Sequence, residues 1–293
     1  MVVPTYRRQS WLRQLLISLE SQETQKMSVT VIVGDNDPNR TAFEVVKAFE
    51  DTGKIAYLHI PERGLSFVRN ALVKAALSRD PDFIAMVDDD QWVSQTWLSK
   101  LVSAALKYGA EFVAGPVIQI THERNESWLV RAGYFRRRLY ATGTAVPEAG
   151  CGNLLVKASW FEMNSERWFA PEYNFSGGED AELTRRAVRE GSEIIWCGEA
   201  VAWEHIPVSR NSFRAAFTRQ TRIASVDLAL YRSAGMPSNW LVFSSPLRII
   251  FGAGLFVVFF LTNPELSLLG FKSMCRGLGF LVGSVGKRVE QYK

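Results

Sequence analysis

The chain has 293 residues, 47% of them hydrophobic and 22% charged, which excludes long disorder and supplies enough apolar material for a sizeable core. The net charge is +4, and all of it falls from Pro246 onward, where six basic residues (Arg248, Lys272, Arg276, Lys287, Arg288, Lys293) stand against two acidic ones (Glu265, Glu290). A neutral body with a basic tail argues against a general nucleic-acid binder and points to anionic lipid. The three cysteines, Cys151, Cys197 and Cys275, have neither metal spacing nor an even count, so a reducing compartment is expected. Met1 to Trp11 has no apolar h-region and does not read as a secretory signal.

In chain order, Met1–Val3 reads as a strand remnant, and Trp11, Leu12, Leu15, Leu16 and Leu19 repeat at helical spacing. Val29–Val33 is a strand-like run ending in the turn cluster Gly34-Asp35-Asn36-Asp37-Pro38. A helical pattern through Phe43, Val46 and Phe49 follows, then a strand over Ile55–Ile60 and a helix face at Leu65, Val68, Leu72 and Ala75/Ala76. Phe83–Val87 is a buried-type strand that runs directly into Asp88-Asp89-Asp90. Strand and helix alternating at this pace predict βαβ units and a mostly parallel α/β sheet, in which ligands sit beyond the carboxyl ends of the strands. Glu111–Ile120 looks extended, Arg131–Arg138 is basic, and Gly150-Cys151-Gly152-Asn153 is a turn leading into the strand Leu154–Val156. Gly177-Gly178-Glu179-Asp180 opens a helix to Arg189, Ile194–Cys197 is a strand, and His205 lies just past it. Arg210, Arg214, Arg219 and Arg222 recur on a helical pattern with Phe213 and Phe217. The apolar run Ile249–Leu261 is short of the roughly 20 residues a spanning helix needs and a second patch, Leu278–Val285, is shorter still, so an interfacial or re-entrant anchor is expected in preference to a core helix.

Asp88-Asp89-Asp90 is the sharpest chemical feature. Adjacent carboxylates repel and call for a compensating cation. Asp88 and Asp90, two apart in an extended segment, would point the same way and share a hard divalent ion. Taken alone, Asp35 reads as a turn aspartate capping its own backbone, and Glu179-Asp180 as a helix cap or a general base. His59, His122, the cysteines and most tryptophans read as packing.

Taken in order, these segments resemble the family 2 glycosyltransferases. Val2-Val3-Pro4-Thr5-Tyr6 with Ser18–Gln22 is similar to the family's opening, and Val31–Asp37 to its second strand. Gly64-Leu65-Ser66-Phe67-Val68-Arg69-Asn70 matches its Gly-x-x-x-x-Arg-Asn segment, and Asp88–Asp90 its DxD motif. Gly178-Glu179-Asp180 resembles its Glu-Asp motif, and Ala202–Val208 its late histidine segment; the last two look closest to succinoglycan-type exopolysaccharide glucosyltransferases.

The resemblance covers about residues 1–225 and implies a GT-A fold. It implies a catalytic domain over 1–208 (nucleotide-sugar half 1–115, acceptor half 116–208); the recurring arginines add a basic helical segment over 209–245, and the apolar, basic end a membrane-associating tail over 246–293. It assigns Pro4, Thr5, Tyr6, Asp35, Arg69, Asp88 and Asp89 to the nucleotide-sugar. Mg²⁺ or Mn²⁺ falls to Asp88, Asp90 and His205. Asp180 is the implied base with Glu179 assisting, and Gly152, Asn153, Arg219 and Arg222 would meet acceptor or diphosphate. Trp128 and Tyr134 are expected to shape the acceptor site. The implied activity is inverting transfer of a hexose, glucose first, from a UDP-sugar to a polyprenyl-diphosphate-linked oligosaccharide. The place is the cytoplasmic face of a bacterial inner membrane, with other polysaccharide-assembly proteins as further partners and no nucleic acid. Two departures stand out: only three residues precede Pro4, fewer than the family usually has, so a truncated start is expected. Ile223 follows Arg219-Gln220-Thr221-Arg222, so the Gln-x-x-Arg-Trp motif of processive synthases is missing and single addition is expected. Nucleotidyltransferase is the competing enzyme class, although Thr5-Tyr6-Arg7-Arg8 lacks a glycine-rich phosphate loop. A membrane-associated binding protein with a degenerate site is the non-enzymatic alternative.

Overall fold

The structure is a computed structural model and describes residues 1–24, 27–49, 53–121, 127–165 and 168–286. His122 and the tail residues Lys287, Arg288, Glu290 and Lys293 lie outside the described residues. The chain divides into two compact units. The first comprises Met1–Ile118, Arg137–Asn174 and Glu179–Glu204; the second comprises Gln119–Arg136, Phe175–Gly178 and His205–Lys293. This division departs from boundaries at 115 and 208, because the chain after Arg137 returns to the sheet of the first unit.

The elements run β1 (Val2–Thr5), α1 (Gln9–Glu20), β2 (Val31–Asp35), α2 (Phe43–Lys47), β3 (Ile55–His59), α3 (Leu65–Leu77), β4 (Phe83–Val87), β5 (Gln91–Val93), α4 (Trp97–Tyr108), β6 (Phe112–Ala114) and β7 (Val117–Thr121). After α5 (Trp128–Arg131) come β8 (Ala145–Val146), β9 (Asn153–Lys157), α6 (Ala158–Met163), α7 (Glu179–Arg189), β10 (Ile194–Trp196) and β11 (Ala202–Ile206). The last stretch is helical: α8 (Phe213–Ser233), α9 (Asn239–Phe243), α10 (Ser245–Phe259) and α11 (Pro264–Ser284).

Eight strands form one sheet in the order β3-β2-β1-β4-β9-β6-β10-β8, and β5-β11-β7 form a small second sheet. In the large sheet β1, β2, β3 and β4 pair parallel, as do β6 and β10, while β9 runs antiparallel between β4 and β6. Strand alternation sorts the core onto two faces. Val3, Val33, Ala85, Val87 and Leu155 point to the side covered by Leu12, Leu15 and Leu16 of α1 and Trp97 and Leu101 of α4. Val2, Ile32, Ile84, Met86, Leu154 and Val156 point to the side covered by Val68 and Leu72 of α3, Phe161 of α6 and Leu183 of α7. The α3 side is packed so tightly that a Cβ on Gly34 would lie 2.9 Å from Ile60 and 3.0 Å from Leu72. The parallel strands end together, which brings the residues after β1, β2 and β4 to one edge.

In the second unit α11 packs on both α8 and α10. Small residues permit the approach: a Cβ on Gly270 would fall 2.6 Å from the Gly252 carbonyl, and one on Gly279 would fall 2.3 Å from the Thr221 carbonyl. Trp128 stacks on Phe260 at 5.1 Å and meets Phe213 at 5.3 Å, and its indole N–H donates to the Phe260 carbonyl at 3.1 Å. Tyr134 is buried and donates to the Ala216 carbonyl. Both rings thus knit the helices of this unit together, a structural part that sequence did not assign them.

Candidate active site

The expected alternation of Asp88 and Asp90 along an extended strand is not what forms. The Gln91 amide donates to the Asp88 carbonyl at 3.2 Å, closing a turn at the end of β4, and the three carboxylates divide between two arginines. Asp89 is buried and accepts from the Thr5 hydroxyl at 2.8 Å and from Arg8 Nη1 at 2.8 Å. Asp90, also buried, accepts from the same Arg8 nitrogen at 2.9 Å. Asp88, with 34% of its side chain exposed, pairs through Oδ1 with Arg69 Nη2 at 3.1 Å. The compensating cations that three adjacent carboxylates require are two arginines. Burial still pushes the Asp90 carboxyl up to about 7, against the pull of Arg8, and raises Asp89 as well.

Arg69 lies on the inner face of α3 with 6% of its side chain exposed and reaches a second carboxylate, Glu179, through Nη1. Glu179 opens α7 after two glycines with φ of 70° and 97°, a backbone region where L side chains are strained. It is buried, its Oε2 has no hydrogen-bond partner among the described residues, and burial raises its carboxyl to about 7 although Arg69 holds it down. The neighbouring Asp180 is only half-buried; its Oδ1 accepts from the Ala181 amide at 2.7 Å, and its Oδ2 would lie 3.2 Å from a Cβ on Gly150. On the same loop a Cβ on Gly152 would lie 2.9 Å from Asp88 Oδ2. Arg69, Asp88, Glu179, Asp180 and the Gly150–Gly152 turn therefore make one cluster inside the first unit, with a small cavity beside it lined by Pro4, Arg69, Asp88 and Cys151.

Other expected residues sit differently. Asp35 is fully buried and spends Oδ1 on the Asp37 amide and Oδ2 on the Ala42 amide and the Tyr57 hydroxyl, so it caps its own loop. Asn153 is a core tie: it accepts from the Trp97 indole and donates to the Pro116 and Ala200 carbonyls, with 1% exposed. Its side chain is committed to the fold and not open to an acceptor. His205 follows β10 as expected but lies within a further strand, β11, and is 6% exposed. In the second unit Arg222 donates to the Ser176 carbonyl at 2.6 Å, and Arg219 is half-buried. Tyr6 stands at the loop after β1, with the guanidinium of Arg7 4.9 Å and that of Arg63 5.6 Å from its ring centroid. Pro4 ends up in β1 beside the cavity.

Sequence reading missed three supporting side chains. Arg8 had a signal, since a cation beside Thr5-Tyr6 can answer the charge of the acidic triplet. Asn36 bridges the Ile60 and Glu62 carbonyls to the Gly64 amide, and Asn174 accepts from the Ser66 and Phe67 amides at the start of α3. Neither has a sequence signature, because both act between segments distant in the chain.

Among the described residues no group of three or more His, Cys, Asp and Glu gathers as a metal cage. The turn offers a divalent cation Asp88, partly open, and Asp90, a buried carboxylate whose ionisation a cation favours. This donor set fits an ion bound through one or two carboxylates that takes its other oxygens from a diphosphate.

Residues 1–163 match the family described as Glycosyl transferase family 2. The chain belongs to that family. Asp180 lies beyond the matched stretch. The chain is 29% identical over 300 residues to the succinoglycan biosynthesis protein ExoM of Rhizobium meliloti (strain 1021), covering 99% of this chain and 94% of that protein. It is 23% identical over 230 residues to the uncharacterized glycosyltransferase EpsJ of Bacillus subtilis (strain 168), covering 78% and 59% respectively. Among solved structures it is similar to S. aureus TarS 1-349 in complex with UDP, with a TM-score of 0.56 at 14% identity over 97% of this chain and 89% of that one. That likeness shows the GT-A fold, and family membership makes the protein a glycosyltransferase.

Proposed function

We propose that the protein is an inverting, divalent-metal-dependent transferase that moves one hexose, glucose first among candidates, from a UDP-sugar to a polyprenyl-diphosphate-linked oligosaccharide in bacterial exopolysaccharide synthesis. The observation that carries this reading is Arg69, which ties Asp88 at the end of β4 to Glu179 at the start of α7, beside the half-buried Asp180. One cation thus positions both the carboxylate proposed to face the diphosphate and the residue that precedes the proposed base, Asp180, on α7.

In this reading Thr5, Tyr6 and the loop held by Asp35 receive the nucleoside, and Asp88 and Asp90 hold Mg²⁺ or Mn²⁺. When bound, that ion stabilises negative charge on the leaving diphosphate. The acceptor hydroxyl oxygen forms the new bond to C1 of the sugar as the bond from C1 to the diphosphate oxygen breaks. The electron pair leaves with UDP, and the hydroxyl proton passes to Asp180. Attack opposite the leaving group inverts the anomeric carbon. Glu179, buried and held by Arg69, orients this arrangement and is not itself open to an acceptor.

The membrane part of the reading rests on α10. Its Ile250, Phe251, Val257 and Val258 are 66–72% exposed, and no charged residue falls between Arg248 and Glu265. At 15 residues it is shorter than a span. Among the described residues α11 alone is long and apolar enough to cross a membrane, yet 44% of its apolar window is buried inside the protein. An α10 lying in the headgroup region of the cytoplasmic leaflet, with α11 as its packed support, accounts for both helices.

UDP release from a panel of UDP-sugars, with membrane lipid extract as acceptor and with or without excess chelator, tests the reading. Acceptor-dependent release that the chelator abolishes is expected; full turnover in chelator would contradict the metal's part.

A further inference from the structure

We infer that Arg8 is a resident counter-ion of the acidic turn, built to yield Asp90 to a divalent cation when the donor arrives. This rests on the reading of the turn as the metal-diphosphate site. One nitrogen, Arg8 Nη1, stands 2.8 Å from Asp89 Oδ1 and 2.9 Å from Asp90 Oδ2, bridging two successive carboxylates as a bound cation does. Both carboxylates have 7% or less of their side chains exposed, so an uncompensated pair of charges there is costly.

The two arginines at the turn differ in their freedom. Arg69 has 6% of its side chain exposed and is fixed between Asp88 and Glu179, where removal orphans two partners. Arg8 has 31% exposed and comes from the loop that enters α1, outside the helix itself. Its guanidinium already lies 5.5 Å from the Trp11 ring centroid, a surface on which it can rest after leaving Asp90. Asp89 keeps its Thr5 hydroxyl bond through such a move, so the turn stays attached to β1. The guanidinium and a divalent ion thus compete for Asp90.

A competing cation weakens metal binding, whereas a merely structural arginine does not. Mn²⁺ affinity is read in the absence of donor, by paramagnetic resonance of free Mn²⁺ and by the thermal shift Mn²⁺ produces. The set is wild type, Arg8→Ala, Arg8→Gln, Arg8→Lys and the exposed-charge control Arg13→Ala. We expect Arg8→Gln and Arg8→Ala to melt lower than wild type in chelator, to bind Mn²⁺ about tenfold more tightly, and to gain more from it on melting. Arg8→Lys falls between, and Arg13→Ala matches wild type. If Arg8→Ala fails to fold, Arg8→Gln, which keeps a hydrogen-bond donor without the charge, decides. Unchanged or weaker Mn²⁺ binding in Arg8→Gln, or equal tightening in Arg13→Ala, overturns the role of Arg8. Failure of the wild type to bind Mn²⁺ even with UDP present overturns the metal reading beneath it.

Discussion

Glu179 and Asp180 are adjacent in sequence and opposite in surroundings, and their variants separate accordingly. Asp180→Asn keeps shape and hydrogen bonding but takes no proton, so turnover is expected to fall by about two to four orders of magnitude with UDP binding intact. Comparable turnover in Asp180→Asn, measured by UDP release, would move the base elsewhere. Glu179 has a pH signature. Its folded carboxyl lies near 7 and its unfolded one near 4.5, so between these values the unfolded state releases the proton first. Stability is therefore expected to fall as pH rises from about 4.5 to 7, by at most about 1.4 kcal/mol per unit, and to level off above. Glu179→Gln should lack that slope; urea melts across pH 4.5–8 compare the two. At this scale the acidic triplet stands out in the sequence by its charge alone, whereas Arg69, Glu179 and Asp180 are singled out together only through the family resemblance, since Glu179-Asp180 by itself reads equally as a helix cap. The sequence did not reveal that Asp35 and Asn153 are taken up by backbone groups together with the Tyr57 hydroxyl and the Trp97 indole, since a carboxylate or amide used to tie the fold looks the same in sequence as one used for ligands.

At the scale of elements, alternation and amphipathic spacing foretold most of the first unit. The strand over Phe83–Val87 and the helix from Glu179 to Arg189 have the bounds their patterns indicate. The extended run Glu111–Ile120 breaks into β6 and β7 at Gly115, where a Cβ would lie 2.4 Å from the Ala200 carbonyl. That break is tertiary in origin, as are β5 and the two-residue β8, which exist only through their partners. The close contact of α10 with α11 has its own test. Gly270→Ala places a methyl against the Gly252 carbonyl and is expected to destabilise by about 1–3 kcal/mol. At Gly254 nothing among the described residues lies within 4 Å of an added Cβ, so Gly254→Ala is expected to stabilise by about 0.5–1 kcal/mol. Denaturant midpoints check the pair; equal effects would mean that α10 and α11 are not packed through their glycines.

For the whole molecule, the basic C-terminal sequence and the exposed α10 face are each what contact with an anionic membrane calls for. Ile250→Glu together with Val258→Glu alters only exposed positions and is expected to cost under about 1 kcal/mol of stability. It should nonetheless abolish flotation with anionic liposomes while sparing transfer to a water-soluble acceptor; equal flotation of variant and wild type would remove α10 as the anchor. The transferase reading itself is met most directly by following the sugar. UDP-glucose labelled at C1 is incubated with the protein, Mn²⁺ and bacterial lipid extract, and the label is sought in the organic phase beside released UDP. Label entering lipid with inverted anomeric configuration, one UDP per sugar, and neither event in Asp180→Asn, is the predicted result. Retained configuration, or equal transfer by Asp180→Asn, would contradict it.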